Sequence, residues 1–423
     1  MSEFSFTGRA KKILFGAMGL GIFCLFLTWL GDDSFHTRFW SNILHNAVFF
    51  TGIAFMAAFF IAVCITAYAG WHTLFKRVWE SMASFMVPGL ILMLIIGLGV
   101  YFGWNHLYHW ADAESVAHDK ILQGKSSFLN RNWYLLGTII IVGAWILFAR
   151  KLRSLSLQED MSGGDQSYSH HNKMRFWAAI FLPIAGFSSA AIIWQWVMSV
   201  DAHWYSTLFA WYTGASWFVA MICMTILLLI YLKSKGYYEQ VSADHIHDLG
   251  KFLFAFSIFW TYLWFSQYML IWYGNIGEET VYFKHRMDHY PVLFYGNLFL
   301  NFLLPFFVLM RNDTKRKFGS VGFVALMVLF GHWIDFFLML KPGILHTAHE
   351  ISHHNHSYGE ELATAVDHSS HFEMGFTIPG LLELGTFIGF TAVFVFVVFN
   401  TLSKAALVPA NDPYLKESIH HHV

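Results

Sequence analysis

The 423-residue sequence is 56% hydrophobic and 19% aromatic but only 13% charged, with a formal net charge of −1. A soluble chain of this size carries about a quarter charged residues, and 45 Phe with 18 Trp exceed what one water-soluble core can bury. The composition excludes a soluble enzyme, and the absence of any basic excess gives no support for a nucleic-acid partner.

In chain order, the opening "MSEFSFTGRAKK" lacks a small-residue cleavage site after its apolar stretch and is expected to lead into a retained membrane helix. Apolar windows follow at Ile13–Leu30, Val48–Ala67, Phe85–Phe102, Trp133–Ala149, Trp177–Val200, Leu208–Leu232, Phe252–Tyr273, Pro291–Met310, Val321–Leu340 and Pro379–Asn400. Each is long enough to cross about 30 Å of hydrocarbon as a helix and too long for a barrel strand. Pro88, Pro183 and Pro305 do not argue against spanning, because neighbouring helices can satisfy the freed carbonyls.

The expected fold is therefore all-α integral membrane, a single membrane domain over 1–423 with ten transmembrane helices. "FFTGIAF" (Phe49–Phe55) and "WYTGASW" (Trp211–Trp217) repeat an aromatic-Thr-Gly opening four helices apart. That repeat suggests two parallel four-helix bundles, helices 2–5 over residues 45–201 and helices 6–9 over 202–341. Helices 1 and 10 flank them, with a His-rich outer loop at 342–378 and the last helix at 379–400.

With the N-terminus inside, nineteen of the 26 Lys and Arg fall in inner segments, which by the positive-inside rule puts both termini in the cytoplasm. Three loops are long, at 103–132, 150–175 and 341–378, and none is large enough for a catalytic soluble domain. Cys24, Cys64 and Cys223 all lie inside apolar runs, and no C-x-x-C occurs. The cysteines therefore offer no iron–sulfur ligand set, covalent haem or disulfide, and no resident metal is expected.

Depth now sorts the polar residues. His45, His106, His109, Asp201, His203, Glu278, Glu279 and Glu383 fall near the outer face, and His72, Glu80, His247 and Asp248 near the inner one. Gln267, His332 and Asp335 lie deeper. A carboxylate at the bilayer centre costs about 2.5–3.5 kcal/mol on insertion scales, so Asp335 must face the bundle interior and find partners. His332, three residues before it, shares its helix face. A proton relay or quinol-facing acceptor and a structural hydrogen-bonded pair are equal readings. Asp201 reads either as the cap of helix 6 or, beside His203, as a proton acceptor. His349 and His353 would share a helix face and suit a metal, although a solvated or partner-docking loop is the plainer reading.

At helix 7 the sequence resembles a known family. "HDLGKFLFAFSIFWTYLWFSQYMLIWYGNIGEETVYF" (His247 to Phe283) is similar to the polysulfide-reductase (NrfD-type) membrane subunits. The residues that carry the likeness are His247, Gly250, Ser266, Gln267, Trp272, Tyr273, Asn275, Glu278 and Glu279. The "DAHWYSTLFAWY" joint fits the same pattern. Ten helices and the His-rich loop look most like the shorter quinone-binding-type subunit of alternative complex III, the quinol:cytochrome c oxidoreductase of some bacteria. The resemblance implies a multi-pass subunit of the bacterial inner membrane in a respiratory chain, a non-metal subunit of a quinol-oxidising complex that is not active alone and anchors peripheral redox subunits. It implies an iron–sulfur protein, c-type cytochromes, a homologous membrane subunit and lipids as partners. Quinone or quinol, menaquinol included, would be the substrate, with Asp201, His203, Gln267, Glu278, His332 and Asp335 as quinone or proton residues. His72, His247 and Asp248 would handle protons at the inner face. A proton-coupled transporter and a purely structural anchor are the rival classes.

Overall fold

The computed structural model describes residues 3–163, 167–354 and 375–422, with side chains described to Ile351 in the second stretch. Ten helices are long and apolar enough to cross a membrane. In chain order they are α1 (Gly8–Leu30), α2 (Thr37–Thr66), α3 (Thr73–Phe102), α4 (Arg131–Met161), α5 (Ser169–Val200), α6 (Leu208–Ser234), α7 (Ala243–Gly274), α8 (Pro291–Leu309), α9 (Phe318–Ile351) and α10 (Leu381–Leu402). The chain is a multi-pass, all-α membrane protein.

Local chemistry sets the helix ends. Thr7 caps α1 by accepting from the Ala10 amide, and Asn130 caps α4 by accepting from the Trp133 amide. Asp32 and Asp33 together satisfy the free amides at the start of α2, accepting from Arg38, Phe39 and Thr37. Ser242 and His245 form a reciprocal cap on α7, which stops at Asn275 in the left-handed conformation (φ 47°).

Side-by-side packing runs α2–α3–α4–α5 and back to α2, then α6–α7–α8–α9 and back to α6. The two rings meet where α2 packs on α6 and α9, and α5 on α6, while α1 and α10 pair with each other on the flank. The most apolar stretches of α2 and α6 are 89% and 83% buried, against 17% for α1. The core axis is therefore α2–α6, and α1 faces lipid. The repeated Thr-Gly motifs meet on that axis. Gly52 of α2 leaves the space filled by the Trp217 indole of α6, and Gly214 of α6 lies against Met56 of α2. At the end away from the termini α2, α9 and α10 are tied by ions. Arg38 pairs with Glu383 at 2.8 Å, and the buried Lys341 ammonium donates to Ser41 Oγ at 2.7 Å and Asn42 Oδ1 at 2.6 Å.

Several boundaries differ from the sequence reading: α2 begins at Thr37 and α3 at Thr73, ahead of the apolar windows at Val48 and Phe85, and two expected loops are partly helix. The helix containing α9 continues through Pro342 to His354, so the expected 342–378 outer loop begins as helix. The inner connection expected over 150–175 is largely the continuation of α4 to Met161 and the start of α5 at Ser169. Both have one cause: hydropathy windows close at the first charges, while helices run on past the hydrocarbon. His356, His368 and His371 lie outside the described residues, as does the His353 side chain.

Candidate functional site

The second ring encloses a carboxylate. Asp335 is fully buried, and every other helix of the ring sends it a donor. From α6 come the Tyr212 hydroxyl to Oδ1 and Ser216 Oγ to Oδ2, the latter at 2.9 Å. From α7 the Trp260 indole N–H reaches Oδ2 at 3.0 Å, and from α8 Asn297 Nδ2 reaches Oδ1 at 2.8 Å. A carboxylate is the side chain that accepts on all these sides at once. Unpaired in this interior it would be strongly unfavourable.

The network does not end at Asp335. Ser216 Oγ also lies 2.8 Å from His332 Nδ1. With Ser216 donating to Asp335, His332 donates its Nδ1–H to Ser216 and leaves Nε2 as an acceptor. That Nε2 is buried and meets no protein partner. A hydroxyl standing between a carboxylate and an imidazole is a proton relay in form, because it can receive on one side and give on the other. Asn297 Oδ1 in turn accepts from Asn301 Nδ2 at 2.6 Å, and Asn301 sits in a π-helical turn, Phe299–Leu303. Pro305 explains that turn. It lacks the N–H that the carbonyl four residues earlier, at Asn301, would take in an α-helix.

Next to Asp335, on the side away from the termini, lies a cavity lined by Tyr212, Trp264, Gln267, Tyr282, Arg286 and Asn297, among others. It has room for about one or two waters, not for a substituted ring. Gln267 Nε2 is buried there with no protein partner, the situation a bound water satisfies. Arg286, from the connecting helix Gly277–His289 between α7 and α8, forms the far wall and pairs with Asp201 at 2.8 Å. Burial alone would lower the guanidinium pKa, but Tyr282 and Asp201 beside it more than offset this and raise it.

The sequence candidates divide accordingly. Asp335, His332 and Gln267 belong to one site, and Asp201 joins it through Arg286. His203 does not. It hydrogen-bonds Asp119 in the α3–α4 connection instead, with its ring 5.4 Å from that of His109. Asp119 is buried enough to disfavour its charge, yet the His203 hydrogen bond holds its carboxyl below the usual range. Glu278 is exposed in the first turn of the helix that carries Arg286 and is not among the residues lining this cavity. Nor does Asp201 cap α6, whose N-cap is Thr207.

At the end that carries both termini, His72 is buried, stacked on Trp79 at 5.3 Å, and neither ring nitrogen has a protein partner. Burial and then the Lys76 charge lower its pKa to about 3. His247 Nδ1 lies 3.8 Å from Asp248, and Asp248 pairs with Lys251 and, at 2.6 Å, with His421. Sequence reasoning missed Tyr212, Ser216, Trp260, Asn297 and Arg286. Each looks ordinary in its segment, and only packing around Asp335 singles it out. Among the described residues no three His, Cys, Asp or Glu converge with metal-binding geometry. No protein-family model matches this chain, and no curated protein matches it.

Proposed function

We propose that this chain is a membrane subunit of a quinol-oxidising respiratory complex of the quinol:cytochrome c oxidoreductase type, and that its own task is to accept and pass on protons at Asp335. Oxidising a quinol releases two protons and two electrons. The electrons go to an iron–sulfur partner and on to a c-type cytochrome; the protons need an acceptor inside the bilayer. The observation that carries the reading is the relay Asp335–Ser216–His332, fully buried and bordered on its outer side by a water-sized cavity. Intramembrane ionisable groups with this surrounding mark proton pathways. The cavity's size favours protons over a quinone ring as what enters it. Gln267 and Asp201 then order the outer end of the path, and the sequence likeness over His247–Phe283 supplies the respiratory setting.

The test is Asp335→Asn and Asp335→Glu in the intact purified complex, assayed for quinol:cytochrome c turnover. The Asn variant is expected to slow turnover by about 10²-fold or more, the usual contribution of a positioned proton acceptor, and the Glu variant to recover part of it. Subunit composition and sizing verify assembly, since an amide facing four donors costs about 1–3 kcal/mol. Unchanged turnover in an assembled Asn complex, or purification of the chain with no redox partner, would overturn the proposal.

A further inference from the structure

The outer wall of the Asp335 cavity is a buried cation, which is unusual in a path that must pass protons. Arg286 is 3% exposed and each of its three guanidinium nitrogens has a partner. Nε donates to the Leu338 carbonyl at 2.9 Å, Nη1 to the Tyr282 carbonyl at 3.1 Å, and Nη2 to Asp201 Oδ2 at 2.8 Å. Its face lies 3.4 Å from the centre of the Tyr282 ring, which stacks in turn on Trp204 at 3.9 Å. Leu338 follows Asp335 by three residues, about 4.5 Å of helix rise, so Arg286 is held roughly one turn outward of the carboxylate. It lines the same cavity as Tyr212 and Asn297, the two residues that bond Asp335 Oδ1.

Two anchors of Arg286 are fixed backbone carbonyls. The third is the Asp201 carboxylate, on a different segment. It stands in the α5–α6 joint with its side chain 24% exposed, the one member of this chain of contacts that touches outer water. The joint holds it tightly from behind. A Cβ on Gly343 would sit 2.7 Å from Asp201 Oδ1 and 2.8 Å from Val200 Cγ1, so the carboxylate is seated where only glycine leaves room. A fixed positive charge in a narrow neck excludes protons and cations. His285 beside it and Tyr290 and His346 nearby are the other titratable groups around Arg286 and Asp201.

We infer that the Arg286–Asp201 pair is the gate of this site, closing the Asp335 cavity to the water that Asp201 touches while the pair is intact. The inference rests on the proton-handling reading of Asp335. Asp201 holds the guanidinium in the neck through the Nη2–H···Oδ2 bond; without that bond Arg286 keeps only its two carbonyl anchors and no longer fills the neck. Both are positioning residues in this scheme.

The experiment needs no quinol. The intact complex, reconstituted into liposomes with a trapped pH-sensitive dye, is given an outside pH step and the rate of proton entry is read. Asp201→Asn keeps the shape of the side chain and removes its charge. It is expected to admit protons several-fold faster than the natural chain, and the double variant with Asp335→Asn to return to the natural rate. A natural rate in Asp201→Asn, or a leak that persists in the double variant, would overturn the gate. Arg286→Gln, which removes both the charge and the fork, serves where Asp201→Asn does not assemble; it is read the same way, with a leak abolished by Asp335→Asn expected. The two proposals fail separately. Unchanged quinol turnover in Asp335→Asn removes the function, whereas an Asp335-independent leak removes the gate.

Discussion

His72 shows how far burial alone can set a residue's chemistry. Its ring lies flat against Trp79 with both nitrogens unpartnered, and its pKa falls to about 3 against about 6.5 in an unfolded chain. The folded state therefore binds this proton less tightly than the unfolded state does. The His72 contribution to stability is fully present above pH 6.5 and is lost as pH falls from there toward 3, by about 1.4 kcal/mol for each unit. His72→Phe keeps the stacked ring and removes the titration. Thermal melts of the two forms are expected to coincide near pH 7.5 and to diverge at pH 5, with the Phe form higher; parallel pH profiles would contradict this. At this scale the sequence disclosed single residues better than their relations. Asp335 and His332 stood out because apolar residues bracket them. Asp201 and His203 stood out as a pair, yet they point to opposite partners, since residues two apart on a non-helical joint need not share a side. Arg286 was one of seven outer basic residues, and nothing in its neighbourhood marked it as buried.

Helix contacts in this molecule turn on where glycine is and is not needed. In α1, a Cβ on Gly21 would lie 2.6 Å from the Gly389 Cα of α10, and one on Gly389 would lie equally close to Gly21. A Cβ on Gly385 would meet Cys24 Sγ at 2.3 Å. This is the small-residue crossing by which membrane helices approach without a hydrophobic drive. Gly19, two residues earlier, faces open space. Gly21→Ala is therefore expected to destabilise by about 1–3 kcal/mol through overpacking, while Gly19→Ala is neutral or slightly stabilising because Ala favours helix. Melting temperatures in one detergent decide it, and equal effects of the two changes would refute the crossing. The ten spans were legible because about 20 apolar residues are a long, unambiguous signal. Their ends were not, because charged turns of α4 and α9 stay helical beyond the apolar stretch. The Thr-Gly repeat located two helices that meet, although pairing itself depends on Trp217 filling the space left at Gly52, which no periodicity reveals.

At the scale of the whole molecule, the segment after α10 closes the face that carries both termini. Glu3 forms an isolated bridge with Ala406, and the Ser418 hydroxyl donates to the Trp71 carbonyl while accepting from the Leu74 amide. The Ser418 carbonyl meets His245 of α7, Tyr238 donates to the Leu407 carbonyl, and Asn411 bonds Asp160 of α4. One short segment thus ties both helix rings together at one end, and its deepest fastening is the 2.5 Å ion pair of Lys76 with Asp412, both about 95% or more shielded at the side chain. Removing one partner of such a pair leaves a buried charge unmatched, at about 3–5 kcal/mol, whereas replacing both by apolar groups of similar size is often neutral. Asp412→Ala is expected to lower stability by that amount and to make the segment after Leu402 sensitive to protease from the terminal face. Lys76→Met combined with Asp412→Leu is expected to recover most of the loss. A double-mutant cycle on thermal unfolding measures the coupling directly. If the two single changes simply add, the pair is not what fastens the segment, and the many hydrogen bonds around Ser418 carry that role instead.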